Sequence, residues 1–467
     1  MKKPGLMFIA MIMALWSHAE DITGQWNGLV KFQGIELRVI LHITKDDTGY
    51  AATMDSPDQN AMGIPVTGTS FENNILKIEI SNMKVVYSGE FKDNKITGIL
   101  KQNGQEMPLV FTRDGVEKKT IDGYQEAQIK APFTYYTEDV FFENSIANIT
   151  LAGTLTLPKQ QGLYPVVILI TGSGRHNRDE ELFGRKPFLI IADYLTRNGI
   201  AVLRYDDRGV AKSGGDFNKA ASSDFADDAA SAVAYLKTRP EINKQQIGLI
   251  GHSEGGMIAP MVAAKSKDVS FIVMLAGLGI NGGDLMLLQK ELIDRQAGKP
   301  ELVIQNSKKV NTKLVDLVKK STDVTAVREK IAIEAANAYK ADSSIEFLLD
   351  QKYTDIAGTL TSPWVQYLIK YNPKIDLQKT KCPVLVLNGE KDLQVPPAQN
   401  LAAIEKALQR GKNKNYTVKQ MPGLNHLFQE SATGSPEEYF TNPQTFSPMA
   451  LEEISNWIKE ILSEPGK

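Results

Sequence analysis

The chain of 467 residues is too long for one ordinary domain; it allows two or three, with ample core for an enzyme. A formal net charge of -2, with no long run of Lys or Arg, excludes the basic footprint of a nucleic-acid binder. One cysteine, Cys382, rules out an intramolecular disulfide, and its place beside an apolar strand reads as a buried thiol.

Residues 1–19 read as an export signal. Lys2 and Lys3 precede the apolar stretch Leu6 to Trp16, and Ser17-His18-Ala19 puts small residues where a signal peptidase inspects the chain. The stretch is too short to span a bilayer, and no cysteine near it offers a lipid attachment point. A periplasmic or secreted protein with no stable membrane anchor is expected.

Residues 20–113 have an all-β texture. Short alternating runs cover Gln25 to Phe32, Leu37 to Thr44, Tyr50 to Met54, Pro65 to Thr69, Ile75 to Ile80, Val85 to Phe91, Ile96 to Lys101 and Met107 to Thr112. Turn signals such as Asn73-Asn74 and Lys92-Asp93-Asn94 separate them. About eight strands at this spacing predict a small up-and-down barrel or sandwich, filled by its own side chains or used for docking. A polar linker over 114–132 follows.

From 133 to 467 strands alternate with helices. Val140 to Asn144 and Ile149 to Leu157 form an opening hairpin; then come the strand ending at Ile170, a helix over Pro187 to Arg197, the strand Ala201 to Tyr205 and a helix over Asp224 to Thr238. The strands ending near Ile250, Leu275 and Asn388 complete a mostly parallel sheet covered on both faces, whose functional groups belong at the strands' carboxyl ends. The hundred or so residues at about 280–380 exceed a simple crossover. Helical spacing over Leu285 to Arg295, Leu314 to Lys320, Val327 to Tyr339 and Ser344 to Leu349 predicts a helical cap.

Gly251-His252-Ser253-Glu254-Gly255 follows the apolar run Ile247 to Ile250 and precedes a helix, the context of a nucleophile elbow. A serine hydroxyl needs a base, and of the five histidines only His426 lies downstream of it, in a loop after a short strand. Asp392, in the loop after the strand Pro383 to Asn388, completes the order serine, acid, histidine and would orient the imidazole; Glu390 and Asp284 are its rivals. Oxyanion donors are expected from the backbone amides of Glu254 and of Ser173 or Gly174, the latter two in the loop after Ile170.

Three motifs, Gly-His-Ser-Glu-Gly-Gly at 251–256, Tyr-Asp-Asp-Arg-Gly at 205–209 and Asn-Gly-Glu-Lys-Asp at 388–392, resemble the α/β-hydrolase superfamily. The resemblance is to its serine-aminopeptidase-like and prolyl-oligopeptidase-like bacterial carboxylesterases. Gly24-Gln25-Trp26 resembles the glycine-x-tryptophan of lipocalin-like barrels. The superfamily resemblance implies a structural role for Asp206, Asp207 and Arg208. It also implies a cap element at Ser362 to Leu368, from which Trp364 and Tyr367 would line an acyl or alcohol pocket. Arg175, Arg178, Asp179 and Glu180 are read either as recognising a polar substrate end or as a solvated loop, with Arg175 the substrate-binding candidate.

The expected activity is a serine carboxylesterase acting on a small-molecule ester through an acyl-enzyme, with no metal or organic cofactor. A serine peptidase or aminopeptidase of the same fold is the main alternative; an acyl thioesterase and a non-catalytic binding protein built on the β domain rank behind it.

Overall fold

The computed structural model describes residues 21–32, 35–47, 49–57, 61–102, 105–115, 129 and 132–463. The expected export signal and nearly all of the expected linker lie outside them. Among the described residues no helix is long and apolar enough to cross a membrane. The chain divides into two compact units, 1–119 and 120–467.

In the first unit the described residues form nine antiparallel strands of one curled sheet. They are β1 (Gly24–Phe32), β2 (Ile35–Asp46), β3 (Gly49–Ser56), β4 (Ala61–Pro65), β5 (Gly68–Glu72), β6 (Ile75–Ile80), β7 (Val85–Lys92), β8 (Lys95–Gln102) and β9 (Gln105–Thr112). The sheet order is β4-β3-β2-β1-β9-β8-β7-β6-β5, so β1 pairs with β9 and the sheet's edges fall at β4 and β5. The run expected as one strand over Pro65 to Thr69 is divided between β4 and β5, with Val66 and Thr67 outside the strands. The amides of those two residues turn instead to Ala52 and Glu79 carbonyls.

Asn73-Asn74 and Asp93-Asn94 both take positive φ (51°, 61°, 51° and 57°), the geometry of tight hairpin turns that Asn and Asp tolerate. Alternation puts Leu76, Ile78 and Ile80, then Val85, Tyr87 and Phe91, on the concave side. Trp26 is fully buried there, its indole N–H donating to the Ile22 carbonyl at 2.7 Å and its ring covered by the Arg113 guanidinium at 3.9 Å. The interior of this unit is thus occupied by its own side chains.

The second unit is built on an eight-stranded sheet. Its strands are β10 (Tyr136–Asn144), β11 (Ile149–Leu157), β12 (Tyr164–Ile170), β13 (Ala201–Tyr205), β14 (Ile242–His252), β15 (Phe271–Leu275), β16 (Val384–Gly389) and β17 (Tyr416–Met421). The order is β10-β11-β13-β12-β14-β15-β16-β17, antiparallel as far as β13 and parallel beyond it. β12 explains the two-sided burial: Val166, Ile168 and Ile170 join one core and Val167 and Leu169 the other. Helices α2 (Ser222–Leu236), α3 (Glu254–Ala263) and α10 (Pro397–Arg410) cover the first face. The other is covered by α1 (Pro187–Arg197) and, after the short α11 (Glu438–Thr441), by α12 (Pro448–Ser463), whose Trp457 meets Phe271 edge-on at 6.1 Å.

Between β15 and β16 lie α4 (Gly282–Gln296), α5 (Glu301–Lys320), α6 (Val324–Ala341), α7 (Ile356–Leu360), α8 (Pro363–Lys370) and α9 (Lys374–Lys379). Leu314, Val315, Ile331, Leu360 and Ile369 give α4 to α8 a core of their own. The helix expected over Ser344 to Leu349 is absent. That segment runs from a turn at Ser344 through irregular chain at 345–347 into a short 3-10 turn, where Leu349 takes φ 57° and Asn311 caps the Glu346 carbonyl and the Leu348 amide with its side chain.

Candidate active site

β14 delivers Ser253 to the carboxyl edge of the sheet and α3 starts at the next residue. Ser253 has φ 53° and ψ -112°, a conformation that costs on the order of 1–3 kcal/mol and persists only because the surroundings fix it. Its neighbours leave no room for side chains. A Cβ on Gly251 would stand 2.0 Å from the Gly255 carbonyl oxygen, and one on Gly255 would stand 2.1 Å from that of Ile170. Glycine two residues on either side is therefore a packing requirement of this turn.

Asp392 follows β16 and is almost wholly buried. Its Oδ1 accepts the amides of Gln394 and Val395, each at 2.8 Å. Its Oδ2 accepts from the Asn388 amide at 3.1 Å and from His426 Nδ1 at 2.8 Å. With the Nδ1–H donating to Asp392, Nε2 of His426 is left as the basic nitrogen. The loop carrying His426 follows β17 and is pinned by Asn425, whose side-chain oxygen accepts the amides of Leu427 and Gln429. The rivals to Asp392 are elsewhere: Glu390 is exposed and holds the Gly423 amide, and Asp284 pairs with Lys319 at 2.6 Å.

Ser253, His426 and Ser173 line one cavity of about 130 Å³, walled by Leu182, Phe183, Leu427 and Tyr439. Gly174, with φ 118°, lines a different, much smaller cavity. The Gly172 amide is taken, donating to Glu180 Oε1 at 2.6 Å. Glu254 begins α3, where first-turn amides lack helical partners.

Three residues expected at the substrate are not brought to this cavity. Arg175 donates to the Gly209 carbonyl at 2.8 Å and lies over the Phe217 ring. Trp364 donates its indole N–H to Glu254 Oε1 at 2.8 Å, and that buried carboxylate also accepts from the Ser222 hydroxyl. Burial holds Glu254 above the ordinary carboxylate range. Tyr367 lines an open groove beside α9. The charged residues after Arg175 are committed to partners: Arg178 forks onto Asp206 (3.0 and 2.7 Å) and Asp179 pairs with the buried Arg204. Arg208 forks onto Asp228 at 2.6 and 2.8 Å, and Asp207 accepts the Thr171 hydroxyl and the His176 amide.

One pairing was not visible in the sequence. His252, beside the serine, directs Nδ1 at Glu180 Oε1 (3.0 Å) and Nε2 at the His426 carbonyl (3.0 Å). Burial pushes the Glu180 carboxyl up, but His252 and the Gly172 amide outweigh it and hold the group below its usual value. Burial likewise lowers His252 while Glu180 raises it more, so its net shift is upward. Cys382 is partly buried, and burial pushes its thiol up to about 12. Among the described residues no cluster of three or more His, Cys, Asp or Glu side chains is arranged to hold a metal ion.

A parallel sheet behind an antiparallel hairpin, with a serine elbow, a histidine and a buried acid at successive strand ends, defines an α/β hydrolase. The chain belongs to the family described as serine aminopeptidase, S33, which matches residues 186–431, more than half its length. Esterase EstD of Thermotoga maritima is 29% identical over 246 residues, covering 51% of this chain and 58% of that protein. A putative carboxymethylenebutenolidase of Synechocystis is 28% identical over 139 residues, 28% of this chain and 56% of that one. The chain thus spans little more than half the length of either relative. Among solved structures, the Pyrococcus furiosus esterase Pf2001 aligns with 70% of this chain and 92% of its own, at 16% identity and a TM-score of 0.42.

Proposed function

We propose that the protein is an exported serine carboxylesterase. The observation that carries this reading is the buried Asp392–His426 pair at 2.8 Å, whose imidazole lines one cavity together with Ser253. Ser253 Oγ attacks the ester carbonyl while His426 Nε2 takes its proton; Asp392 keeps the imidazole in the tautomer this needs and stabilises its charged form. The tetrahedral oxygen is met by the amides of Glu254 and Ser173. His426 then protonates the departing alcohol; in the second half-reaction it takes a proton from water, whose oxygen attacks the acyl carbon, and returns that proton to Ser253 Oγ as the acyl–oxygen bond breaks and the carboxylic acid leaves.

The similarity to esterase EstD supports an ester as substrate. So does the lining of the cavity: an aminopeptidase needs a carboxylate to hold the α-ammonium, and the acid lining this cavity, Glu180, is engaged by His252 and Gly172. The N-terminal residues Lys2 to Ala19 support export.

The test is fluorophosphonate labelling of the wild type and Ser253→Ala, with p-nitrophenyl ester turnover followed in parallel. Labelling and turnover are expected in the wild type and both lost in the variant. A folded wild type that neither labels nor turns over any ester would refute the proposal.

A further inference from the structure

We infer that Glu180 and His252 form a permanently charged pair, in the wall of the cavity, that positions the oxyanion loop and the His426 loop around Ser253. The inference rests on the esterase reading above and concerns how that site is held together.

Donors and acceptors around the ring fix its charge. An imidazole carries one N–H when neutral and two when charged. Both partners of the His252 ring accept: the His426 carbonyl oxygen at 3.0 Å from Nε2, and Glu180 Oε1 at 3.0 Å from Nδ1. That carboxylate oxygen already accepts the Gly172 amide at 2.6 Å. A neutral His252 would turn a lone pair onto one of these oxygens, so the arrangement is satisfied by an imidazolium. Burial then demands a counter-charge, since a lone cation at a position 7% exposed is costly, and the adjoining carboxylate, 5% exposed, supplies it.

The groups facing the pair are few. His426 lies ring to ring at 4.9 Å with Asp392 behind it, the Phe428 ring closes the side at 6.4 Å, and His176 and the buried Asp207 lie close enough to Glu180 to interact with it electrostatically. The pair is tied through those bonds to three segments: the loop after β12 at Gly172, the end of β14, and the backbone of His426 itself. Gly172 shows how tightly they meet. A Cβ there would stand 3.0 Å from Glu180 Oε1 and 3.4 Å from both His252 Nδ1 and Ser253 Cβ. The residue after Gly172 is Ser173, so any slackening here moves an oxyanion donor and the base relative to the nucleophile. Neither Glu180 nor His252 takes or gives a proton in the reaction; both are positioning residues.

Glu180→Gln tests this because the amide oxygen can still accept from Gly172 and His252 while the negative charge is gone. A misplacement of about 1 Å at a reacting centre costs up to about 100-fold. For Glu180→Gln we expect kcat for p-nitrophenyl butyrate to fall by about 10-fold to 100-fold, with KM nearly unchanged and the melting temperature close to wild type.

The second readout needs no turnover. In ¹⁵N spectra of labelled wild type at pH 8, with His252→Gln for assignment, both His252 ring nitrogens should resonate as protonated, and in Glu180→Gln one of them should not. A neutral His252 in the wild type overturns the inference even if Glu180→Gln fails to fold. So does a folded Glu180→Gln variant with wild-type kcat. A wild type without ester turnover would instead refute the esterase proposal, leaving the spectra to judge the pair.

Discussion

Asp392→Asn should abolish most of the turnover while leaving the fold in place, and the hydrogen bonds around Asp392 say why. Oδ1 accepts two backbone amides at 2.8 Å, so an NH₂ group at that position would face two N–H donors. The carbonyl of the new amide must take that place and its NH₂ the place of Oδ2, 2.8 Å from His426 Nδ1. A donor there can be met only by a lone pair on Nδ1, which moves the imidazole hydrogen to Nε2. The nitrogen that should accept the serine proton then already carries one. A wrong tautomer of this kind lowers kcat by about 10⁴-fold, or about 5.4 kcal/mol of barrier. The same NH₂ also confronts the Asn388 amide, 3.1 Å from Oδ2, which should cost about 1–3 kcal/mol of stability. Steady-state hydrolysis of p-nitrophenyl butyrate gives the first number and urea unfolding the second. A folded variant that keeps more than about a tenth of wild-type kcat would refute the tautomer argument and send attention to Glu390.

Gly255→Ala places a methyl 2.1 Å from the Ile170 carbonyl oxygen and 2.7 Å from that of Thr171, backbone atoms that cannot yield cheaply. A loss of about 3 kcal/mol is expected in urea unfolding, and an unchanged midpoint would show that the elbow is looser than its contacts suggest. A cavity of about 130 Å³ is slightly smaller than an engineered one of about 150 Å³ that takes benzene, so kcat/KM should peak with short acyl chains and fall for laurate. A profile rising steadily to twelve carbons would mean the chain is housed elsewhere. Burial, with the charges of Glu254 and Glu180 adding to it, raises Asp207 well above 3.8. As pH rises past 3.8 the unfolded chain gives up this proton while the folded protein keeps it, so wild-type stability falls until the folded value is passed. Asp207→Asn cannot titrate and should gain stability relative to wild type between pH 4 and pH 7, read as melting temperature; parallel curves would count against the buried proton.

The trio at the site was legible because each member announces itself locally. Ser253 sits between obligatory glycines, Asp392 follows the buried strand β16, His426 follows the edge strand β17, and chain order eliminates other histidines. The loop after β12 was legible in place but not in detail, since which amide faces the cavity depends on the φ of Gly174 and on what Glu180 does with Gly172. In the β unit the strand count failed at Val66 and Thr67, whose β-branched side chains read as strand while their amides bond across to Ala52 and Glu79. The cap misled for a related reason: Ser344 to Leu349 has helical spacing, but Ser307 and Asn311 of α5 hold its backbone extended. In both places long-range hydrogen bonds overrode a correct local pattern.

Trp364, Tyr367 and Arg175 show the opposite error, in which residue types suited to binding are occupied by the scaffold. An indole N–H inside a protein seeks an acceptor, and Trp364 finds Glu254 110 residues earlier in the chain. The Glu180–His252 pair had one usable signal. Strand alternation puts His252 on the same face as Ile250, which is fully buried, so the imidazole had to be inside and had to have partners. What alternation could not supply was their identity, because Glu180 lies 72 residues away in a loop crowded with charges. The pattern across the second unit is the same: Arg178–Asp206 joins two loops at the carboxyl edge of the sheet, Arg208–Asp228 ties a loop to α2, and Glu180–His252 ties a loop to the end of β14. Apolar packing sets the sheet, whereas these buried polar ties set the loops. Reading such a site from sequence therefore requires asking of every charged residue near the motif which other charge it must meet, before asking what substrate it could bind.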